Sequence, residues 1–110
     1  MTSKHYPGFL VRSSSWNTII ECLQDYRPAT ARFVEWLRDS EYAFGLFAIT
    51  SLDTLIIGQS HEFDMWRNVI RIKENGERFT ITFYESDKSA SERECDEEEL
   101  IPAFQSSSHP

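Results

Sequence analysis

Asn75-Gly76 lies between two segments in which apolar and polar residues alternate, and no other stretch constrains the chain as tightly. An Asn-Gly pair supplies the two positive-φ positions of a type I′ turn, which joins antiparallel strands through a two-residue loop. The register that follows sets Glu74 opposite Glu77, Ile72 opposite Phe79, Ile70 opposite Ile81 and Asn68 opposite Phe83. Arg67, Arg71, Thr80, Thr82 and Tyr84 then point to the other side. One face of this hairpin is core and the other is wet. Lys73 against Arg78 and Glu74 against Glu77 are like-charged cross-strand pairs, each costing roughly 0.2–1 kcal/mol, which diagonal pairs of opposite charge offset.

Upstream of the hairpin the period is helical. Serines 13–15 offer capping oxygens, and Trp16, Ile19, Ile20 and Leu23 recur on one face with Tyr26 close to it, which predicts a helix over about 15–26. Pro28 suits the first turn of a second helix, whose stripe of Ala29, Phe33, Trp36 and Leu37 runs to about Asp39. A continuous apolar run at 44–50, a turn at 51–53 and Thr54-Leu-Ile-Ile before Gly58 read as a hairpin of central strands covered on both faces. Downstream, Ser91-Glu-Arg-Glu94 matches the capping box and predicts a third helix starting there. Only Cys95, Leu100, Ile101 and Phe104 are available to dock it, so its docking should be weak, and Pro102 should end the ordered part. The expected architecture is α+β: two N-terminal helices packed on an antiparallel four-stranded sheet, then an acidic C-terminal helix and a flexible tail. A single domain spans 1–110, with an N-terminal arm at 1–12 and a disordered tail at 105–110.

At 110 residues, 40% apolar and 14% aromatic, the chain has the bulk for one core without metals or disulfide staples. Cys22 and Cys95 are far apart, in no C-x-x-C pair and with no secretory h-region upstream, so we expect free, mostly buried thiols and a cytoplasmic protein. No uncharged run is long enough for a membrane span. Charge is unevenly placed. Residues 86–110 hold seven acidic side chains against Lys88 and Arg93, so −5 of the total −7 lies there, whereas the first forty residues carry +1. Such a chain is repelled by phosphate backbones, which makes nucleic acid a poor partner.

The chemistry-bearing residues form no set. In the stretch His61-Glu62-Phe63-Asp64 an imidazole lies beside carboxylates, but a metal site needs three or four convergent ligands, and His5 and His109 sit in the termini. Cys22 adjoins a core stripe with no activating neighbour; Cys95 sits among acids that raise a thiol pKa. Serines 13–15 lack a G-x-S-x-G elbow, and with four glycines the chain has no phosphate-cradling loop. We therefore expect no cofactor, no metal and no enzymatic activity. Trp16 and Trp36 fit helix core faces. Trp66, flanked by Glu62 and Asp64, has the look of an interface anchor.

The expectation is a small acidic inhibitor of the immunity or antitoxin kind, monomeric or weakly dimeric, which blocks the site of a basic protein partner such as a toxin nuclease. The residues expected to carry it are Glu62, Asp64, Trp66, Asp87, Glu92, Glu94, Asp96, Glu97, Glu98 and Glu99. Two alternatives stand beside it. One is a small-molecule-binding or enzymatic domain with a helix–sheet pocket lined by Phe33, Trp36, Phe47 and Tyr84, with His61 at its mouth. The other is a regulatory or assembly domain that dimerises.

Overall fold

The computed structural model describes residues 11–52, 54–63, 68–85 and 88–107. Strand β1 (Val11–Arg12) leads into Ser15, whose extended backbone and hydroxyl, accepting the Thr18 N–H at 3.1 Å, start helix α1 (Trp16–Leu23). Ile19, Ile20 and Leu23 are buried, but the helix stops at Leu23, and Tyr26 in the following turn is 75% exposed rather than part of the stripe. Helix α2 (Pro28–Arg38) opens on Pro28, whose missing N–H would have no intrahelical partner there. It buries Phe33, Val34 and Leu37, and a 3-10 turn (Glu41–Ala43) then leads into the sheet.

Strands β2 (Phe47–Ser51), β3 (Thr54–Gly58), β5 (Val69–Asn75), β6 (Arg78–Glu85) and β7 (Lys88–Asp96) form one antiparallel sheet in the order β2-β3-β5-β6-β7. A short β4 (Glu62–Phe63) pairs instead with β1 as a separate two-stranded ribbon. The sheet thus has five strands rather than four. The helices cover one face, where Leu55, Ile57, Ile72, Phe79, Ile81 and Cys95 meet Ile19, Leu23, Phe33, Val34 and Leu37. On the opposite face Ile56, Phe63 and Val69 form a second, smaller cluster with Val11, Phe47, Ile49 and Tyr84 around it. Phe63 lies directly over Gly58, where an added Cβ would meet its ring at 2.9 Å, so the ribbon seats on β3 only because that position lacks a side chain. Sandwiched this way, Leu55, Ile56 and Ile57 are all buried.

The register of the β5–β6 hairpin differs from the expected one. Asn75 pairs with Arg78, Glu74 with Phe79, Ile72 with Ile81 and Ile70 with Phe83. The loop residues are Gly76 and Glu77, and only Gly76, at φ +65°, is left-handed, the pattern of a II′ turn with glycine first. Every pair has moved by two positions, which leaves each side chain on its expected face. The move also dissolves both like-charged pairs: Lys73 now faces Thr80 and Glu74 faces Phe79.

Segment 91–96 is not the start of a helix. It is the second half of β7, with Ser91, Arg93 and Cys95 opposite Phe83, Ile81 and Phe79. Helix α3 (Glu97–Ser107) begins directly after it, through a capping box five residues later than expected: Asp96 Oδ1 accepts the Glu99 N–H at 3.0 Å, and Glu99 Oε1 accepts the Asp96 N–H at 3.3 Å. Nor is α3 weakly docked. Leu100, Ala103 and Phe104 are buried, and the Phe104 ring lies 5.4–6.3 Å from those of Phe33, Trp36 and Tyr42 in edge-to-face contacts. The helix continues through Pro102, and residues 105–107, expected in the tail, belong to it. The thiols also divide: Cys95 is buried, while Cys22 is exposed on α1 rather than packed in the core.

Candidate functional site

The described acidic residues of the last quarter lie on β7 and on the first turn of α3, at one edge of the sheet. On β7, Glu92 lies opposite Thr82 and Glu94 opposite Thr80, so both side chains stand on the face away from the helices, and both are exposed. Asp96 and Glu99 are committed to the α3 capping box. Glu97 is committed too, in a bidentate pair with Arg32 of α2 at 2.7 and 2.9 Å. The Arg32 hydrogen bonds hold the Glu97 carboxyl below the usual carboxylate range, and Glu97 in turn raises Arg32. Glu94 stands 4.0 Å from Arg78 across the sheet. Glu92 and Glu98 make no ion pair among the described residues. Six of the ten expected site residues therefore split by role: Asp96, Glu97 and Glu99 build the structure, and Glu92, Glu94 and Glu98 are presented to solvent.

A groove of about 470 Å³ adjoins this edge, between the start of α2, the β5–β6 turn and the start of α3. Arg32, Glu74, Glu77, Asp96, Glu97 and Glu98 line it, so its charge is predominantly negative. Inside this junction Glu74, an acid on the core face of β5, accepts both the N–H (3.1 Å) and the hydroxyl (2.8 Å) of buried Thr30. Burial first, and Glu99 second, push the Cys95 thiol upward, which keeps it protonated and inert.

Glu62 stands apart from this edge. It pairs with Arg12 in the ribbon that seats on β3, three strands from β7 or about 14 Å at ordinary strand spacing. Asp64, Trp66 and Asp87 lie outside the described residues, as do His5, Arg67 and His109. His61 is exposed. Its Nδ1 is 3.2 Å from the Ser13 hydroxyl, and its ring stands edge-on to Phe47 at 5.8 Å. No three His, Cys, Asp or Glu side chains converge on a metal position among the described residues. The four aromatics expected to line one pocket are divided by the sheet: Phe33 and Trp36 are on the helix side, Phe47 and Tyr84 on the other. No helix of the described residues is long and apolar enough to cross a membrane.

The direction of the backbone along β7 follows from the hairpin. A two-residue loop closes on a hydrogen-bonded pair, so Asn75–Arg78 and every second pair beyond it exchange bonds within β5–β6. Phe79, Ile81 and Phe83 are left to bond Cys95, Arg93 and Ser91. Glu92, Glu94 and Asp96 accordingly turn their N–H and C=O groups away from β6, toward the open edge. Contacts at both ends of the sheet carry this alternation. The Asp96 N–H goes to Glu99 rather than to β6, and at the opposite edge the outward-turned Ala48 carbonyl accepts the Ser14 N–H at 2.8 Å.

Searches against protein-family models, curated proteins and solved structures match nothing to this chain.

Proposed function

We propose that this chain is a protein-binding inhibitor of the immunity or antitoxin kind, which meets a basic protein partner, such as a toxin nuclease, along its β7–α3 edge and blocks that partner's site. The observation that carries the reading is the exposure of Glu92 and Glu94 on the outer face of β7 and of Glu98 at the rim of the acidic groove. A one-sided field of this kind raises the encounter rate with a cationic surface and imitates a polyanionic substrate. The reading is supported as well by the commitment of the neighbouring acids to the fold, because the presented carboxylates are held on a strand and a helix rather than on a loose tail. Its test is capture of the partner from native lysate, followed by association kinetics of the wild type and a Glu92→Gln/Glu94→Gln/Glu98→Gln variant. These substitutions leave the capping box and the Arg32 pair intact. The variant should associate about tenfold or more slowly at low salt, with dissociation little changed, and 0.5 M salt should erase most of the difference. Equal association rates for the two forms would overturn the reading.

A further inference from the structure

The presented acids share their residues with an unused hydrogen-bonding edge. Glu92 and Glu94 turn their backbone N–H and C=O groups outward, and among the described residues no strand pairs with that side of β7. The usable stretch is bounded at both ends. At one end the Asp96 N–H is taken by Glu99 and the chain turns into α3; at the other, a register shift at Phe83/Tyr84 offsets the ladder by one residue of β7 before pairing resumes at Tyr84–Ser89, which ends the regular alternation of the outward groups. What remains offers two rungs about 6.8 Å apart, each pairing a carboxylate on the outer face with a backbone donor and acceptor in the sheet plane.

Building on the reading of this edge as a partner-binding surface, the geometry points to its mode of recognition: β7 accepts an extended segment of the basic partner as a sixth strand, with Lys or Arg at every second position. A residue hydrogen-bonded to Glu92 or Glu94 lies directly opposite it, and the two side chains share a face, so the cations must sit on the hydrogen-bonded rungs. Charge selects this occupant over a second copy of the chain. Antiparallel pairing of two β7 edges through the same rungs sets Glu92 of one copy against Glu92 or Glu94 of the other, like charges directly opposed. Strand addition of this kind draws affinity from main-chain bonds and specificity from alternate side chains.

The experiment uses the full chain and three synthetic heptapeptides alternating Thr and Lys, with threonine at both ends. One is unmodified, one carries backbone N-methyl groups on the lysines and one carries them on the threonines. All have the same charge. Strand addition predicts that methylating the lysine nitrogens weakens binding by about tenfold or more, the loss of the two hydrogen bonds donated to Glu92 and Glu94, while methylating the threonine nitrogens, which point away, changes it little. Amide exchange at Glu92 and Glu94 should slow on adding the unmodified peptide. Glu94→Pro removes one outward N–H at an edge position where proline is tolerated; it should lose the peptide while melting like the wild type, and Glu94→Gln should lose less. Equal binding of all three peptides would overturn strand addition and leave the charge-based reading standing. Failure of all three to bind at low salt would overturn both.

Discussion

Glu74 offers the most direct test of how the helices are fixed to the sheet. Helix α2 has no side-chain cap of its own, since Arg27 precedes it without a capping bond and Pro28 has no N–H to give. Its start is satisfied from a strand 44 residues away, where one Glu74 carboxylate oxygen accepts the Thr30 N–H and hydroxyl together. Thr30 is 0% exposed, so with Glu74 in place no solvent reaches its N–H and hydroxyl, and that oxygen is what satisfies them. Leaving a buried amide and hydroxyl unpaired costs about 1–3 kcal/mol, and losing an anion at a helix N-terminus about 0.3–1 kcal/mol more. Glu74→Ala should therefore destabilise by about 2–3 kcal/mol, a fall in Tm on the order of 10 °C for a chain of this size. Glu74→Gln, which keeps an oxygen but not the charge, should fall by less than half of that. Thr30→Val supplies the control: in its background Glu74→Ala should cost about 1 kcal/mol less, because the hydroxyl is already gone. Urea and thermal unfolding of the four variants measure the cycle. A Tm change under about 2 °C for Glu74→Ala, or strict additivity with Thr30→Val, would refute the cap.

Under native conditions an alkylating reagent should add once, at exposed Cys22, and a second time at Cys95 only after denaturation, as intact mass will report; two rapid native additions would contradict the burial of Cys95. Leu52 is 99% exposed at φ 58°, a conformation that penalises a branched side chain by about 1–2 kcal/mol, so Leu52→Asn should raise the urea midpoint, with a gain of roughly 0.5–1 kcal/mol. Because Arg32 lowers the folded-state pKa of Glu97, the pair's contribution is complete above the ordinary carboxylate value of 4.5 and disappears as pH falls below it. Glu97→Gln should thus be less stable than the wild type at pH 7, with the gap closing as pH falls through the lowered folded-state pKa of Glu97 and shrinking at pH 7 as salt is added.

Sidedness was readable from the sequence because alternation is a local signal. Ile70, Ile72, Phe79, Ile81 and Phe83 lie on the expected face, and the alternation is blind to a slip of two, which is the size of the register difference. The clue to that slip was electrostatic: the expected pairing set Lys73 against Arg78 and Glu74 against Glu77, and the observed one separates both. The end of the chain held two capping boxes one residue apart, at 91–94 and 96–99. The second adjoins the apolar run from Leu100 to Phe104 and so starts the helix, while Cys95, facing inward opposite Phe79, draws the first into the sheet. At the site, the acids were visible but their division was not. Whether Glu97 is spent on an ion pair depends on Arg32, 65 residues earlier, and no local pattern reports such a contact. Cys22 was misplaced because α1 has only eight residues, and its buried stripe is too narrow to reach one position beyond Glu21.

The absence of a loop between β7 and α3 governs how readily the edge of the sheet opens. An outermost strand is ordinarily the first part of a sheet to fray, since it is held from one side only. Here, peeling β7 from β6 by its C-terminal end also drags on the helix joined to it, and that helix is anchored by Leu100 and Phe104, whose burial is worth about 1.5–3 kcal/mol each. The edge thus borrows the stability of the core, and its open population falls by the Boltzmann weight of that anchor. A surface held in its extended form in this way loses little conformational entropy when it is used, so the rigidity of a helix on one side of the molecule is felt as pre-organisation along the strand at its margin.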